Sequence, residues 1–151
     1  MGTGDIRTAD QQLLDACRKG DVSAAKKSLS AGADINCKDG CGYTPLHTAA
    51  MWDHGNVAAI LLSAGADIHC KDVLGDTPLH TAARWDHGNV VAILLSAGAA
   101  INCKNVRGDT PLHIAARWDY GNVVAILLSA GADIHCALNV LFAFTHNPFL
   151  E

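Results

Sequence analysis

The sequence predicts an all-α solenoid of short helical repeats. Three observations predict it. The tetrapeptide Thr-Pro-Leu-His stands at Thr44–His47, Thr77–His80 and Thr110–His113, 33 residues apart each time. The similarity extends through the whole unit: 26 of 33 positions agree between 39–71 and 72–104, and again between 72–104 and 105–137. Each unit also carries a helix start and a glycine stop, which is how a fixed-period helical array reads in sequence.

The start signal has a local cause. Threonine caps a helix because its hydroxyl accepts from the free amides of the first turn. Proline at the first helical position loses nothing, since its missing N–H has no intrahelical partner there. Leu46, Leu79 and Leu112 then begin the buried face, and His47, His80 and His113 are placed to bond back towards the capping threonine.

The elements follow in chain order. Residues 1–7 are expected to form a disordered leader. Thr8-Ala9-Asp10-Gln11 matches a capping box, so a helix is expected from there to about Lys19, with Leu13, Leu14, Ala16 and Cys17 on its apolar side and Gly20 as its stop. A second helix is expected over about Asp21–Ser30, ended by Gly32. This unit, 8–38, lacks the Thr-Pro signal and carries Arg18, Lys19, Lys26 and Lys27. It reads as the polar N-terminal cap that a solenoid requires.

Three full repeats are expected at 39–71, 72–104 and 105–137. In each, the first helix should end at Asp53-His54-Gly55, Asp86-His87-Gly88 or Asp119-Tyr120-Gly121. Asn56, Asn89 and Asn122 are expected to cap the second helices. Those helices show apolar faces of Val57, Ile60 and Leu61, of Val90, Ile93 and Leu94, and of Val123, Ile126 and Leu127. Gly65, Gly98 and Gly131 stand where C-terminal glycines belong. The paired alanines 49–50, 82–83 and 115–116 let helices approach closely.

Residues 138–151 depart from the pattern. In register, Leu141 replaces the loop glycine and Phe144 the proline. Three expectations compete: a shortened cap docked through Phe142, Phe144, Phe149 and Leu150, a fragment of a longer array, or a tail that drives self-association. The closing Leu150-Glu151 also reads as a possible cloning remnant.

A 33-residue unit with Thr-Pro-Leu-His-x-Ala-Ala, a Leu-rich second helix and then Ala-Gly-Ala-Asp-Ile resembles the ankyrin repeat, over residues 8 to about 137. The resemblance implies two antiparallel helices and a β-hairpin-like loop per repeat, stacked side by side, with 1–151 as one such domain. It also implies non-catalytic protein recognition by a concave face. The sequence departs from the family where Gly-His usually follows the first helix. Here Asp53, Asp86 and Asp119 stand in the glycine's place. Aspartate tolerates the left-handed backbone less well than glycine, so a differently shaped turn is expected.

Composition narrows the function classes. Half of the residues are hydrophobic but 5% are aromatic, so the core must be aliphatic and Ala-rich. A net charge of −4 argues against a nucleic-acid module, which usually carries a basic stripe. No apolar run approaches the ~20 residues of a membrane span. Met1–Asp10 has no apolar core of a secretory signal.

Cys37, Cys70, Cys103 and Cys136 recur at the same period. Equivalent positions in stacked repeats lie at helix spacing, roughly 8–10 Å, beyond the ~7 Å Cα limit of a disulfide. Free thiols suggest a reducing, intracellular compartment, cytoplasmic or nuclear. These cysteines are expected to act as small buried hydrophobes, whereas Cys41, at a loop position, is expected to be exposed and reactive. His69-Cys70 and His135-Cys136 invite a metal hypothesis. Adjacent residues of an extended segment point apart, however, so no metal and no cofactor is expected. Catalysis is not expected either, because a ladder supplies like residues at intervals rather than unlike residues in one place.

Positions that differ between near-identical repeats are those the framework does not dictate. They select Tyr43, Asp76 and Asp109; Met51, Arg84 and Arg117; and Leu74 and Arg107, the counterparts of Cys41. Beside them stand all three tryptophans, Trp52, Trp85 and Trp118, in one row. In the family these positions lie on loop tips and first helices, and Trp, Tyr and Arg dominate binding hot spots. The tryptophans are therefore the expected anchors for another protein, with the other eight residues around them. The competing structural reading folds each indole over its neighbour or onto Arg84 or Arg117. Two further alternatives are a synthetic, consensus-like scaffold without a natural ligand and a thiol- or metal-responsive protein.

Overall fold

A computed structural model describes residues 7–134. Its described part holds eight helices: α1 Ala9–Lys19, α2 Val22–Ser30, α3 Pro45–Met51, α4 Gly55–Ser63, α5 Pro78–Arg84, α6 Gly88–Ser96, α7 Pro111–Arg117 and α8 Gly121–Ser129. Each consecutive pair packs together. The first helices α1, α3, α5 and α7 stack in one layer, and α2, α4, α6 and α8 stack in the other. The core runs between the layers and is aliphatic. Leu13, Leu46, Leu61, Leu79, Leu94, Leu112 and Leu127 are fully buried among alanines and valines.

The helix starts form as the sequence dictates. Thr8 and Gln11 complete a capping box on α1. Thr44, Thr77 and Thr110 do the same on α3, α5 and α7, with His47, His80 and His113 as the reciprocal residue. Glycines 20, 32, 65, 98 and 131 take positive φ at helix ends. Arg7, expected in a disordered leader, is instead held: its guanidinium pairs with Asp15 and its carbonyl accepts from Gln12 Nε2 at 3.1 Å.

The turn between the two helices passes through the left-handed region that glycine enters most freely. Asp53, Asp86 and Asp119 adopt φ of 60°, 61° and 58°. The conformational cost of this left-handed backbone is carried by aspartate. Asp86→Gly should raise stability by about 0.5–1 kcal/mol, because glycine enters this region without a Cβ penalty. Urea unfolding of the single variant checks this.

Asn56, Asn89 and Asn122 are not the caps of the second helices. The caps are His54, His87 and Tyr120, none of which gives a side-chain cap bond. Each helix begins two residues earlier than capping by the asparagine requires, and the imidazoles are engaged elsewhere. His54 Nε2 bonds the Arg18 carbonyl and His87 Nε2 the Met51 carbonyl, each at 3.0 Å. Each of these histidines thus ties its repeat to the end of the preceding first helix.

Ile60, Ile93 and Ile126 are half-buried rather than core. Ile93 and Ile126 reach the preceding repeat instead. A Cβ at Gly55 would lie 3.0 Å from Ile93 Cδ1, and one at Gly88 3.2 Å from Ile126 Cδ1. Gly55 and Gly88, having no side chain, leave room for these contacts.

The loop tips are narrow and hairpin-like, although no strand occurs among the described residues. In each, one Asx residue closes the tip. Asp39 Oδ1 accepts from the Cys41 and Tyr43 amides, Asp72 Oδ1 from Leu74 and Asp76, and Asn105 Oδ1 from Arg107 and Asp109, at 2.8–3.0 Å. Neighbouring tips are joined by backbone bonds, Val73 N–H to Cys41 O at 3.4 Å and Val106 N–H to Leu74 O at 3.0 Å.

The cysteine row is less buried than expected. Cys37 is buried, but Cys70 and Cys103 are half-exposed, because they lie in the turn at the edge of the two layers. Cys41 is exposed, and the five described cysteines are free. Burial pushes the Cys17 thiol up to about 12 and the Cys37 thiol up to about 11, so neither is a ready thiolate. Cys136 and the tail 138–151, with the expectations of a docked cap or self-association, lie outside the described residues.

Candidate protein-binding surface

The tryptophan row sits where the first helices end. Trp52, Trp85 and Trp118 are the C-terminal caps of α3, α5 and α7. The cap position places each indole beyond the last buried alanine. The residue before it, Met51, Arg84 or Arg117, still belongs to the helix. Trp52 and Trp85 are each 52% exposed and Trp118 58%. Large apolar side chains rarely stand this open three times in register. The loop tips add Val73, Leu74 and Val106, also exposed, together with Arg107.

The other expected residues separate into two groups. Met51 and Arg84 are half-exposed and Arg117 is exposed, so their side chains reach the surface. Tyr43 is half-buried, its ring centroid 6.1 Å from that of His47. Asp76 and Asp109 are buried, which corrects their place among the contact residues. Asp76 accepts from Arg84 Nη2 at 2.6 Å and from Asn105 Nδ2 at 2.9 Å. Asp109 takes both terminal nitrogens of Arg117, at 3.0 and 3.1 Å. Burial raises the Asp109 carboxyl, but the hydrogen bonds and charge of Arg117 outweigh it and hold the group below its usual value. These aspartates act through the arginines: they hold the guanidinium of the residue that precedes Trp85 and of the one that precedes Trp118 in the chain. The first repeat has Tyr43 and Met51 at the paired positions, so the pair changes together along the chain.

Beneath this surface runs a polar ladder that ties the repeats together. His47 Nδ1 lies 2.8 Å from Thr44 Oγ1 and accepts from the Thr44 amide, so Nε2 carries the proton and donates to the Asp76 carbonyl at 2.8 Å. His80 repeats this arrangement with Thr77 and the Asp109 carbonyl, at 2.9 Å each. His113 keeps its bond to Thr110. The counterpart of its second acceptor falls outside the described residues. Burial pushes all three imidazoles below their usual value. Among the described residues, no three His, Cys, Asp or Glu side chains converge as metal ligands would. No described helix is long and apolar enough to cross a membrane.

A family model described as ankyrin repeats, three copies, matches residues 13–105 and, overlapping, 61–137. This chain belongs to the ankyrin-repeat family. Ankyrin repeats are generally protein–protein interaction modules without catalytic chemistry of their own. Among curated proteins, the chain is 46% identical over 55 residues to the neurogenic locus Notch protein of Drosophila melanogaster, covering 36% of this chain and 2% of that one. It is 50% identical over 48 residues to protein VAPYRIN-LIKE of Medicago truncatula, covering 32% and 10%. It is 40% identical over 53 residues to the 2-5A-dependent ribonuclease of Mus musculus, covering 34% and 7%. The chain thus spans no more than 10% of the length of these relatives. The ankyrin fold explains the two-layer stack.

Proposed function

We propose that this ankyrin-repeat chain binds another protein through the face built from its first-helix ends and loop tips, with Trp52, Trp85 and Trp118 as anchors. The observation that carries the reading is the exposure of three indoles in register, each more than half open to solvent. Tryptophan, tyrosine and arginine dominate binding hot spots, because each buries a large side chain that also hydrogen-bonds or stacks. Met51, Leu74, Arg84, Arg107 and Arg117 surround the anchors, and Asp76 and Asp109 position two of the arginines.

Size is adequate for a specific complex. Four stacked units at roughly 10 Å each and a width of about 20 Å give about 800 Å², the usual share of one partner. An intracellular location goes with this reading and is supported by the free thiols.

Affinity capture from cell extract tests it, comparing the natural sequence with the Trp52/Trp85/Trp118→Ala variant after circular dichroism has shown that both are folded. A partner retained by the natural sequence and lost from the variant is expected. Equal retention by both would remove the tryptophans from the account.

A further inference from the structure

We propose that the tryptophan face takes an extended, basic segment of its partner, with a Lys or Arg at every third residue. This rests on the reading that the face binds protein, and it names the chemistry of the partner.

Spacing and charge carry the argument. The three indoles occupy equivalent places in successive repeats, hence roughly 10 Å apart along the stack. An extended chain advances ~3.3 Å per residue, so every third side chain meets the next indole. Each tryptophan is followed directly by an exposed aspartate, Asp53, Asp86 or Asp119, whose backbone is fixed in the left-handed turn. An indole beside a carboxylate is the chemistry that receives a cation: the ring face attracts it and the carboxylate neutralises it.

The neighbouring arginines do not cancel this. Arg84 and Arg117 are already paired, to Asp76 and Asp109. Asp86 and Asp119 have no ion pair among the described residues, and Asp53 lies 3.8 Å from His87 Nδ1, an ion pair only when that imidazole is protonated. The charge left open at the residue after each indole is therefore negative, and Arg107, exposed on a loop tip without an ion pair among the described residues, is the one open cation among the arginines of the face. The N-terminal unit marks where the row begins. There Lys19 stands in the tryptophan's place and Gly20 in the aspartate's.

The test is an NMR titration of the full chain, following the three indole N–H signals. The probes are blocked heptapeptides of Gly and Ser bearing Lys, Glu or Leu at positions one, four and seven, and a fourth with its lysines at alternate positions. The Lys peptide is expected to move all three indole signals, with a dissociation constant on the order of a millimolar. The shifts should weaken with added salt. Asp53/Asp86/Asp119→Asn should keep its spectrum elsewhere and bind the Lys peptide about tenfold more weakly.

Equal or stronger shifts with the Glu or Leu peptide would overturn the basic chemistry and leave the face a protein-binding one. Equal shifts with the alternate-spaced peptide would overturn the register. Indole signals that move on dilution of the protein alone would assign the face to a second copy of this chain and overturn the proposal. No indole shift with any peptide would overturn it too. Loss of partner capture by the tryptophan variant would then still decide, separately, whether the face binds protein.

Discussion

Leu79→Ala is expected to destabilise the chain by about 2–5 kcal/mol, because a buried leucine loses its transfer energy and leaves a cavity. Leu79 is 1% exposed and lies in α5, the first helix of the middle full repeat. Helix α5 packs against α3, α6 and α7, so the cavity opens towards both neighbouring repeats. In a solenoid, stability is the sum of repeat terms and nearest-neighbour interfaces, and a lesion here weakens two interfaces at once. The prediction is therefore more than a lower midpoint. Urea unfolding of Leu79→Ala should lose cooperativity as well, with the flanking units melting apart. A variant that keeps a single sharp transition within about 1 kcal/mol of the parent would show that the stack does not depend on this helix.

The second large effect belongs to the histidine ladder. His80→Ala removes a buried ring, orphans the Thr77 amide and takes one of two donors from the Asp109 carbonyl, which keeps the Asn105 amide at 3.0 Å. Each unsatisfied buried group costs about 1–3 kcal/mol, so a total on the order of 3 kcal/mol is expected once the lost packing is included. The same residues set a pH dependence. Burial holds His47, His80 and His113 below the ordinary value of 6.5 in the folded chain. The unfolded chain therefore binds more protons in the window beneath 6.5, and stability must fall with pH there. Above that value both states are neutral and the contribution is complete and constant. Unfolding free energy should be flat from about pH 7 to 8 and decline progressively below about 6.5. The decline should be shallower in a His47/His80→Gln variant, measured by urea unfolding across pH. A profile that rises on acidification would contradict the neutral, Nε2-protonated form assigned to these rings.

The sequence made the framework legible because its signals are local. Thr-Pro at a helix start, glycine at a helix end and alanine pairs at a close contact each act within a few residues, so the eight helices fall where the pattern puts them. Features that failed to show depend on partners far along the chain. His54 bonds a carbonyl 36 residues earlier, and no local rule announces it; the asparagines two residues on drew the capping expectation instead. The Asx residue at each loop tip was legible in principle, since Asp39, Asp72 and Asn105 share one place in the period and one acceptor oxygen. Its two bonds appear only once the tip is closed.

The binding face was half legible. Differences between near-identical repeats pointed to exposed and buried positions alike, beside the invariant tryptophan row, and did not distinguish surface from support. Asp76 and Asp109 differ from Tyr43 because Arg84 and Arg117 differ from Met51. That joint change, eight residues apart, was the available sign that the aspartates face an arginine rather than a partner.

The central claim is that a partner sits on the first-helix ends and loop tips rather than on the outer face of α4, α6 and α8. Site-directed photo-cross-linking tests it most directly. A photoreactive side chain is placed singly at Met51, Leu74 or Arg107, or at the exposed Ala59, Ala92 or Ala125 of the second helices, and the folded proteins are irradiated in cell extract. The account predicts a shared covalent adduct from the first three positions and none of that mass from the other three. The same adduct arising only from the second helices would contradict it.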